Sequence, residues 1–176
     1  MKIYIFLDYV HNRISIEDAS KGFLKNPVEK WDVIGKEGFF YALDNKINEW
    51  TGWNYVYNER GGFLGLWWHF IRCKDKDFEY YLQIQNVDLF IRIMLKEKNE
   101  KTKEKRNEAI VILDNVLTED EKKYIKKPRT LRPGKSMAIK QVEQNAWLIK
   151  NNDGIVDIDK TAERLKYFSS LLDRCK

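Results

Sequence analysis

Residues 79–95 read EYYLQIQNVDLFIRIML, and this stretch decides the fold. Apolar and polar residues alternate on both sides of Asn86-Val87, which is the pattern of two strands with one buried face. A two-residue loop pairs Leu82 with Ile91 and keeps one face aliphatic, whereas a three-residue loop would mix the faces. The alternation with an even loop length therefore predicts an antiparallel hairpin. Its opposite face carries Tyr81, Gln83, Phe90 and Arg92.

The segment GGFLGLWWHF, residues 61–70, predicts a neighbouring strand. In strict alternation, one face carries Leu64, Leu66, Trp68 and Phe70. The other face carries Phe63, Gly65, Trp67, His69 and Ile71. We expect the Trp68 face to meet the helices, and we expect Trp67 to join Arg92 on the second face. That second face is either a binding platform or a second core beneath the N-terminal helices.

The rest of the chain alternates helical and extended patterns. A helix is predicted over residues 36–50, with a buried stripe of Phe40, Leu43, Ile47 and Trp50 and a stop at Thr51-Gly52. Further helices are expected before Pro27, after Lys103 and after Asp157, and a capping box at Thr118 and Glu121 starts a short helix up to Lys127-Pro128. Strands are expected around Tyr55 and Tyr57, over SMAIKQV and over residues 146–149.

These elements predict an α+β fold in one domain of residues 1–176. An antiparallel sheet of four or five strands carries packed helices. Residues 1–52 form a mainly helical N-terminal segment, and residues 54–176 form the sheet with two covering helices.

The composition indicates a folded chain in a reducing compartment. Its 176 residues are 43% hydrophobic and 14% aromatic, which excludes global disorder. Lys and Arg outnumber Asp and Glu by 32 to 27, a modest basic bias. Two cysteines cannot form a disulfide framework, and neither a signal peptide nor a membrane span is evident, so we expect a cytoplasmic protein without a membrane partner.

Catalytic chemistry finds little support in the sequence. The chain has two histidines, His11 and His69, and no serine in a nucleophile elbow. A metal-dependent nuclease needs carboxylates on neighbouring strands, where this sheet offers Gln83 and Gln85. We therefore expect no metal site, no cofactor, no catalytic residue and no cleavage of DNA or RNA in the presence of Mg²⁺.

One segment, residues 126–135, contains five basic residues and no acid. The five are Lys126, Lys127, Arg129, Arg132 and Lys135. Two prolines and a glycine keep this segment out of a helix, so it is expected to be a stiff, exposed loop. It is either a set of phosphate contacts or a merely solvated connection.

The order of several motifs resembles the C-terminal region of bacterial PD-(D/E)xK-family nucleases. The motifs are WDVIGKEGFFYALDNKINEW, GGFLGLWWHF, YLQIQNVDLFIRI, GKSMAIKQV and DGIVDIDKTAERLKYFSSLLD, spanning about residues 31–173. The acidic and Glu-x-Lys motifs of the catalytic half are absent. The resemblance therefore implies architecture and a role beside a nuclease, and transfers no catalytic residue.

Two function classes follow from these patterns. One is a non-catalytic accessory domain that binds DNA or RNA, with a nuclease or another protein as its partner. Its candidate nucleic-acid contacts are Lys126, Lys127, Arg129, Arg132, Lys135, Trp67 and Arg92. The other class is a protein-interaction module, self-association included, that binds no nucleic acid. The sequence leaves the oligomeric state open.

Overall fold

The computed structural model describes residues 21–47, 49, 51–57, 62–97 and 100–176. Residues 21–23 are helical and a 3-10 helix spans Val28–Lys30; the α-helices after them are α1 (Val33–Lys46), α2 (Thr102–Val116), α3 (Glu119–Lys122), α4 (Gln144–Trp147) and α5 (Ile158–Asp173). The strands are β1 (Thr51–Val56), β2 (Phe63–Arg72), β3 (Phe78–Gln85), β4 (Asp88–Leu95), β5 (Ile125–Lys126) and β6 (Ser136–Val142). They form one antiparallel sheet in the order β1-β2-β3-β4-β6-β5. The α+β prediction is confirmed, with six strands rather than four or five.

The β3–β4 hairpin has the predicted register. Leu82 lies opposite Ile91, and Gln85 lies opposite Asp88 across a two-residue turn. Asn86 takes a φ of 56°, a left-handed conformation that asparagine tolerates in such turns. Its backbone N–H donates to the carbonyl of Leu64 at 2.8 Å, so the turn is fixed against β2 as well.

The helices of the described chain pack on one face of the sheet, called here the inner face. Tyr80 of β3 donates to the carbonyl of Ala109 in α2 at 2.6 Å, and the Trp68 indole of β2 donates to Ser169 of α5 at 3.1 Å. The predicted helices after Lys103 and Asp157 therefore cover this face. The predicted stripe of α5 is buried throughout: Ala162, Leu165, Phe168 and Leu172.

The first helix lies on the inner face too. Its N-cap is Asp32, which accepts from the backbone of Gly35 at 2.8 Å, and the ammonium of Lys46 lies 2.7 Å from Asp159 of α5. The predicted stripe residues Phe40, Leu43 and Ile47 are buried. Trp50 and the helical pattern of residues 3–20 lie outside the described residues. None of the helices in the described ranges is long and apolar enough to cross a membrane.

The strict alternation predicted for β2 is wrong beyond Trp68. Trp68 pairs with Leu82 and Ile71 pairs with Tyr80, so β2 has one residue more than β3 between these pairs. This β-bulge contains His69, whose φ is 58°. Ile71 therefore lies on the inner face and Phe70 on the opposite face, the reverse of the prediction. The His69 ring turns away from the Trp67 face toward α5, where Nε2 lies 3.2 Å from Asp173.

Three local predictions also need correction. Residues 146–149 are not a strand, because α4 occupies residues 144–147 with Trp147 fully buried. The helix that starts at the Thr118 capping box ends at Lys122, and β5 replaces its predicted continuation to Lys127-Pro128. Thr51-Gly52 opens β1 instead of ending a helix, since α1 has already ended at Lys46.

The capping box belongs to a buried ion-pair network that joins three helices. Glu121 is 4% exposed, and its carboxylate accepts hydrogen bonds from Arg174, from Tyr167 and from the backbone of Thr118 at 2.7 Å. Arg174 also donates to the carbonyl of Val116 at 3.0 Å. This network therefore ties the end of α2 and the start of α3 to the C-terminal end of α5.

A substitution at Leu82 tests whether the inner face is the buried face of the sheet, because the Leu82 side chain is fully buried against the helices. Leu82→Ala should lower the free energy of unfolding by about 2–5 kcal/mol, since it leaves a cavity in a packed core. Chemical denaturation gives this value. Val111→Ala is the control, because Val111 is 58% exposed on α2 and its replacement should cost less than about 0.5 kcal/mol. Equal effects of the two substitutions would contradict the assignment of the inner face.

The pH dependence of stability tests the ion-pair network around Glu121. Burial alone would raise the pKa of its carboxyl, but the hydrogen bonds from Arg174, Tyr167 and Thr118 outweigh burial and lower the pKa from 4.5 to about 2. The folded state then binds fewer protons than the unfolded state below pH 4.5, so this stabilisation falls as the pH drops from about 4.5 to 2. Unfolding free energies between pH 5 and pH 2 should decline more steeply for the unmodified protein than for Glu121→Gln. Parallel curves would exclude this role.

Candidate nucleic-acid interface

The face opposite the helices, called here the outer face, carries a row of paired residues that crosses the whole sheet. Cross-strand partners place their side chains on the same face. The pairs Gly52–Trp67, Trp67–Gln83, Gln83–Phe90, Phe90–Gln141 and Gln141–Lys126 join all six strands. We call Gly52, Trp67, Gln83, Phe90, Gln141 and Lys126 the platform row. It alternates aromatic and amide side chains and ends on a cation.

Two glycines make room for the indole of Trp67. A Cβ atom at Gly52 would lie 2.5 Å from Nε1 of Trp67, and a Cβ atom at Gly65 would lie 3.3 Å from Cζ3. The indole therefore extends over both glycines and lies along the sheet instead of standing away from it. This placement explains why the chain has adjacent tryptophans: Trp68 packs in the core, while half-buried Trp67 covers the outer face.

A second group of side chains adjoins the platform row. Phe70 stacks on Tyr81 with the ring centroids 5.0 Å apart and the planes within 9°. The guanidinium of Arg92 donates through Nε to the Tyr81 hydroxyl at 2.9 Å and through Nη2 to the Ser136 hydroxyl at 2.9 Å. Arg92 is therefore held in a fixed orientation beside two aromatic rings, and the bulge at His69 is what brings Phe70 to this group.

The basic segment 126–135 borders the outer face. Lys126 ends the platform row, although its ammonium also donates to the carbonyl of Lys122 at 3.3 Å. At the other end, the carbonyl of Lys135 accepts from the backbone of Leu95 at 2.8 Å, and the next residue contacts Arg92. The segment therefore begins at the platform row and ends beside the Arg92 group.

The cations of this segment are exposed and lack acidic partners. Lys127, Arg129, Arg132 and Lys135 are all exposed, and none forms an ion pair with a carboxylate of the described chain. Several lysines near the helices do have acidic partners: Lys140, for example, lies 2.6 Å from Asp114. The positive charge along the border of the outer face is therefore left for an external anion.

Acidic residues on the outer face are few within the described ranges. Asp88 accepts from Gln141 at 3.3 Å, and burial raises the pKa of its carboxyl. Glu79 lies opposite Arg72 near the end of the sheet. Neither acid lies in the platform row, so the row itself presents no negative charge.

The groups with catalytic potential lie elsewhere. The His69 ring lies between Glu49 and Asp173, at 2.7 Å and 3.2 Å, on the side of α5. Cys73 donates to the carbonyl of Cys175 at 2.9 Å, and burial raises the pKa of both thiols, to about 12 for Cys175. In the ranges that the structure describes, no group of three or more His, Cys, Asp or Glu side chains could hold a metal ion.

The structure places Trp67, Arg92 and Lys126 at outer-face positions of the sheet, and it hydrogen-bonds the carbonyl of Lys135 to Leu95 at the end of β4. Phe70, Ser136 and Gln141 were not among the site residues predicted from the sequence. Alternation along SMAIKQV could have placed Ser136 and Gln141 on the outer face, whereas the position of Phe70 depends on a bulge without a sequence signal.

Comparison with known proteins adds no family or function. No protein-family model matches the chain, and neither a curated protein nor a solved structure matches it.

Gly52 tests the position of Trp67 without changing any charge. In Gly52→Ala, the new methyl group would meet the indole nitrogen, so the Trp67 ring should leave its place over β1. The indole N–H signal of Trp67, assigned by comparison with Trp67→Phe, should shift in a two-dimensional NMR spectrum. Gly22→Ala is the control, because a Cβ atom there meets nothing within 4 Å. An unchanged Trp67 signal in Gly52→Ala would contradict the contact.

Proposed function

We propose that the chain binds single-stranded nucleic acid on the outer face and does not cleave it. The platform row is the observation behind this proposal, because aromatic rings and amides on one face of a sheet are the groups that sheet-based single-strand readers use. Trp67 and Phe90 are separated by two strand spacings, about 10 Å. Each ring can stack on a base, and each such stack contributes about 1–3 kcal/mol.

The border of the outer face suits the sugar–phosphate backbone. Exposed Lys127, Arg129, Arg132 and Lys135 can neutralise phosphates without first breaking an ion pair. Gln83 is buried, so half-buried Gln141 is the amide of the platform row that can hydrogen-bond a base edge, since an amide both donates and accepts. The proposed division of labour is therefore stacking in the platform row and charge neutralisation along residues 126–135.

The proposed biological role is that of an accessory domain beside a nuclease. This part of the proposal rests on the sequence resemblance to the C-terminal region of PD-(D/E)xK-family nucleases. Binding in such a domain would hold a strand while a partner chain supplies the carboxylates and metal for cleavage.

A protein partner is the second candidate for the same surface. Half-buried Phe63, Trp67 and Phe70 give the β2 side of the outer face an apolar character. A protein partner would depend on these rings and much less on the cations of residues 126–135. Salt dependence therefore separates the two candidates.

The expected outcome is a steep salt dependence that requires the basic segment. Affinity for a mixed-sequence single-stranded oligonucleotide should fall with salt, by roughly 0.7 in log K against log salt for each neutralised phosphate. The triple substitution Arg129→Ala, Arg132→Ala and Lys135→Ala should flatten this slope by about two units. Fluorescence anisotropy titrations between about 50 and 200 mM salt measure both quantities.

A second triple substitution controls for net charge. Lys46→Ala, Lys123→Ala and Lys160→Ala remove the same charge from exposed lysines that pair with acids near the helices. This variant should keep the slope of the unmodified protein. Absence of binding at low salt, or equal slopes for both triple variants, would exclude the nucleic-acid role and favour a protein partner.

A further inference from the structure

A small cleft lies at one corner of the outer face, beyond the Arg92 group. The last outer-face pairs of the sheet form its floor: Arg72 with Glu79, and Glu79 with Met94. Lys76 from the β2–β3 turn and Lys96 from the end of β4 complete the lining. The cleft has a volume of about 60 Å³, so it accepts a small group. We call it the corner cleft.

The charges of the corner cleft favour an anion. Arg72 and Lys96 are exposed and form no ion pair within the described ranges. Lys76 is engaged by Glu108 at 2.5 Å, which leaves the cleft with two cations that form no ion pair. Of these two, Lys96 lies near enough to Asp77 to lower the pKa of that carboxyl. Glu79 is the one acid in the lining, and no ion pair joins it to Arg72 across the ladder. An anion between Arg72 and Lys96 would therefore gain two charge-assisted partners.

The position of the corner cleft relates it to the platform row. Gln83 of the row and Glu79 of the cleft are four residues apart on β3, which corresponds to about 13 Å. The basic segment reaches the same corner, since the carbonyl of Lys135 accepts a hydrogen bond from the backbone of Leu95, the neighbour of Lys96. The outer-face side chains of β2 and β3 stop here, because β2 ends at Arg72 and the turn begins at Cys73.

We propose that the corner cleft binds the terminal phosphate of the strand that lies on the outer face. The proposal rests on the proposed function. A terminal phosphate carries a charge of about −1.5 to −2 near pH 7, more than an internal phosphodiester, and suits a cleft with two cations that form no ion pair at the end of a stacking surface. The chain would then recognise a strand end as well as its bases.

The test compares three oligonucleotides of one sequence, carrying a 5′-phosphate, a 3′-phosphate or only hydroxyl ends. One of the two phosphorylated forms should bind at least about fivefold tighter than the hydroxyl form, because the cleft adds charge-assisted hydrogen bonds. Which phosphorylated form gains affinity gives the direction of the strand. Equal affinities for all three would overturn the corner-cleft proposal and leave the proposed function intact. Binding of none of them would overturn both.

Two opposite substitutions assign the gain to the cleft. Arg72→Gln should abolish the advantage of the phosphorylated oligonucleotide while binding of the hydroxyl form changes less than about twofold. Glu79→Gln should enlarge the advantage, since it removes the repelling carboxylate, and a gain of affinity cannot arise from misfolding. Lys103→Gln on α2 is the control with the same charge change as Arg72→Gln. An unchanged advantage in both cleft variants would overturn the proposal.

Discussion

The register between β3 and β4 is the constraint on which the rest of the structure depends. Because Leu82 lies opposite Ile91, the two central strands present one apolar face and one mixed face. The apolar face must be buried, so α1, α2 and α5 pack on it. The mixed face then receives Gln83, Phe90 and Arg92, which β2 and β6 extend with further aromatic and amide residues. A slip of one residue would exchange these faces and remove both the core and the candidate site.

The bulge in β2 adapts this regular sheet in two ways. It turns His69 toward α5, where the ring lies between Glu49 and Asp173, and it sends Phe70 to the outer face to stack on Tyr81. One extra residue therefore links the docking of the last helix to the composition of the outer face.

Charge is distributed unevenly between the two faces. Several cations near the helices lie beside carboxylates, as in Arg174 with Glu121 and Lys140 with Asp114. Along the border of the outer face, Arg129, Arg132 and Lys135 have no such partners among the described residues. The net charge of +5 is modest, and five of the basic residues of the chain lie within the ten residues 126–135. The proposed function depends on this local group of cations rather than on the net charge of the chain.

Local patterns in the sequence determined the hairpin, the capping box and the covering helices, because parity, capping residues and helical periodicity act over a few neighbouring residues. They also placed Trp67 and Arg92 on one face. The side of Phe70 was decided only by the tertiary structure, since the bulge arises where β2 must match β3 while His69 meets α5. The local pattern Thr51-Gly52 predicts the end of a helix, whereas in the sheet Gly52 leaves space for the indole of its cross-strand neighbour Trp67. The meeting of residues 126–135 with Arg92 likewise depends on strand order, which no local pattern encodes.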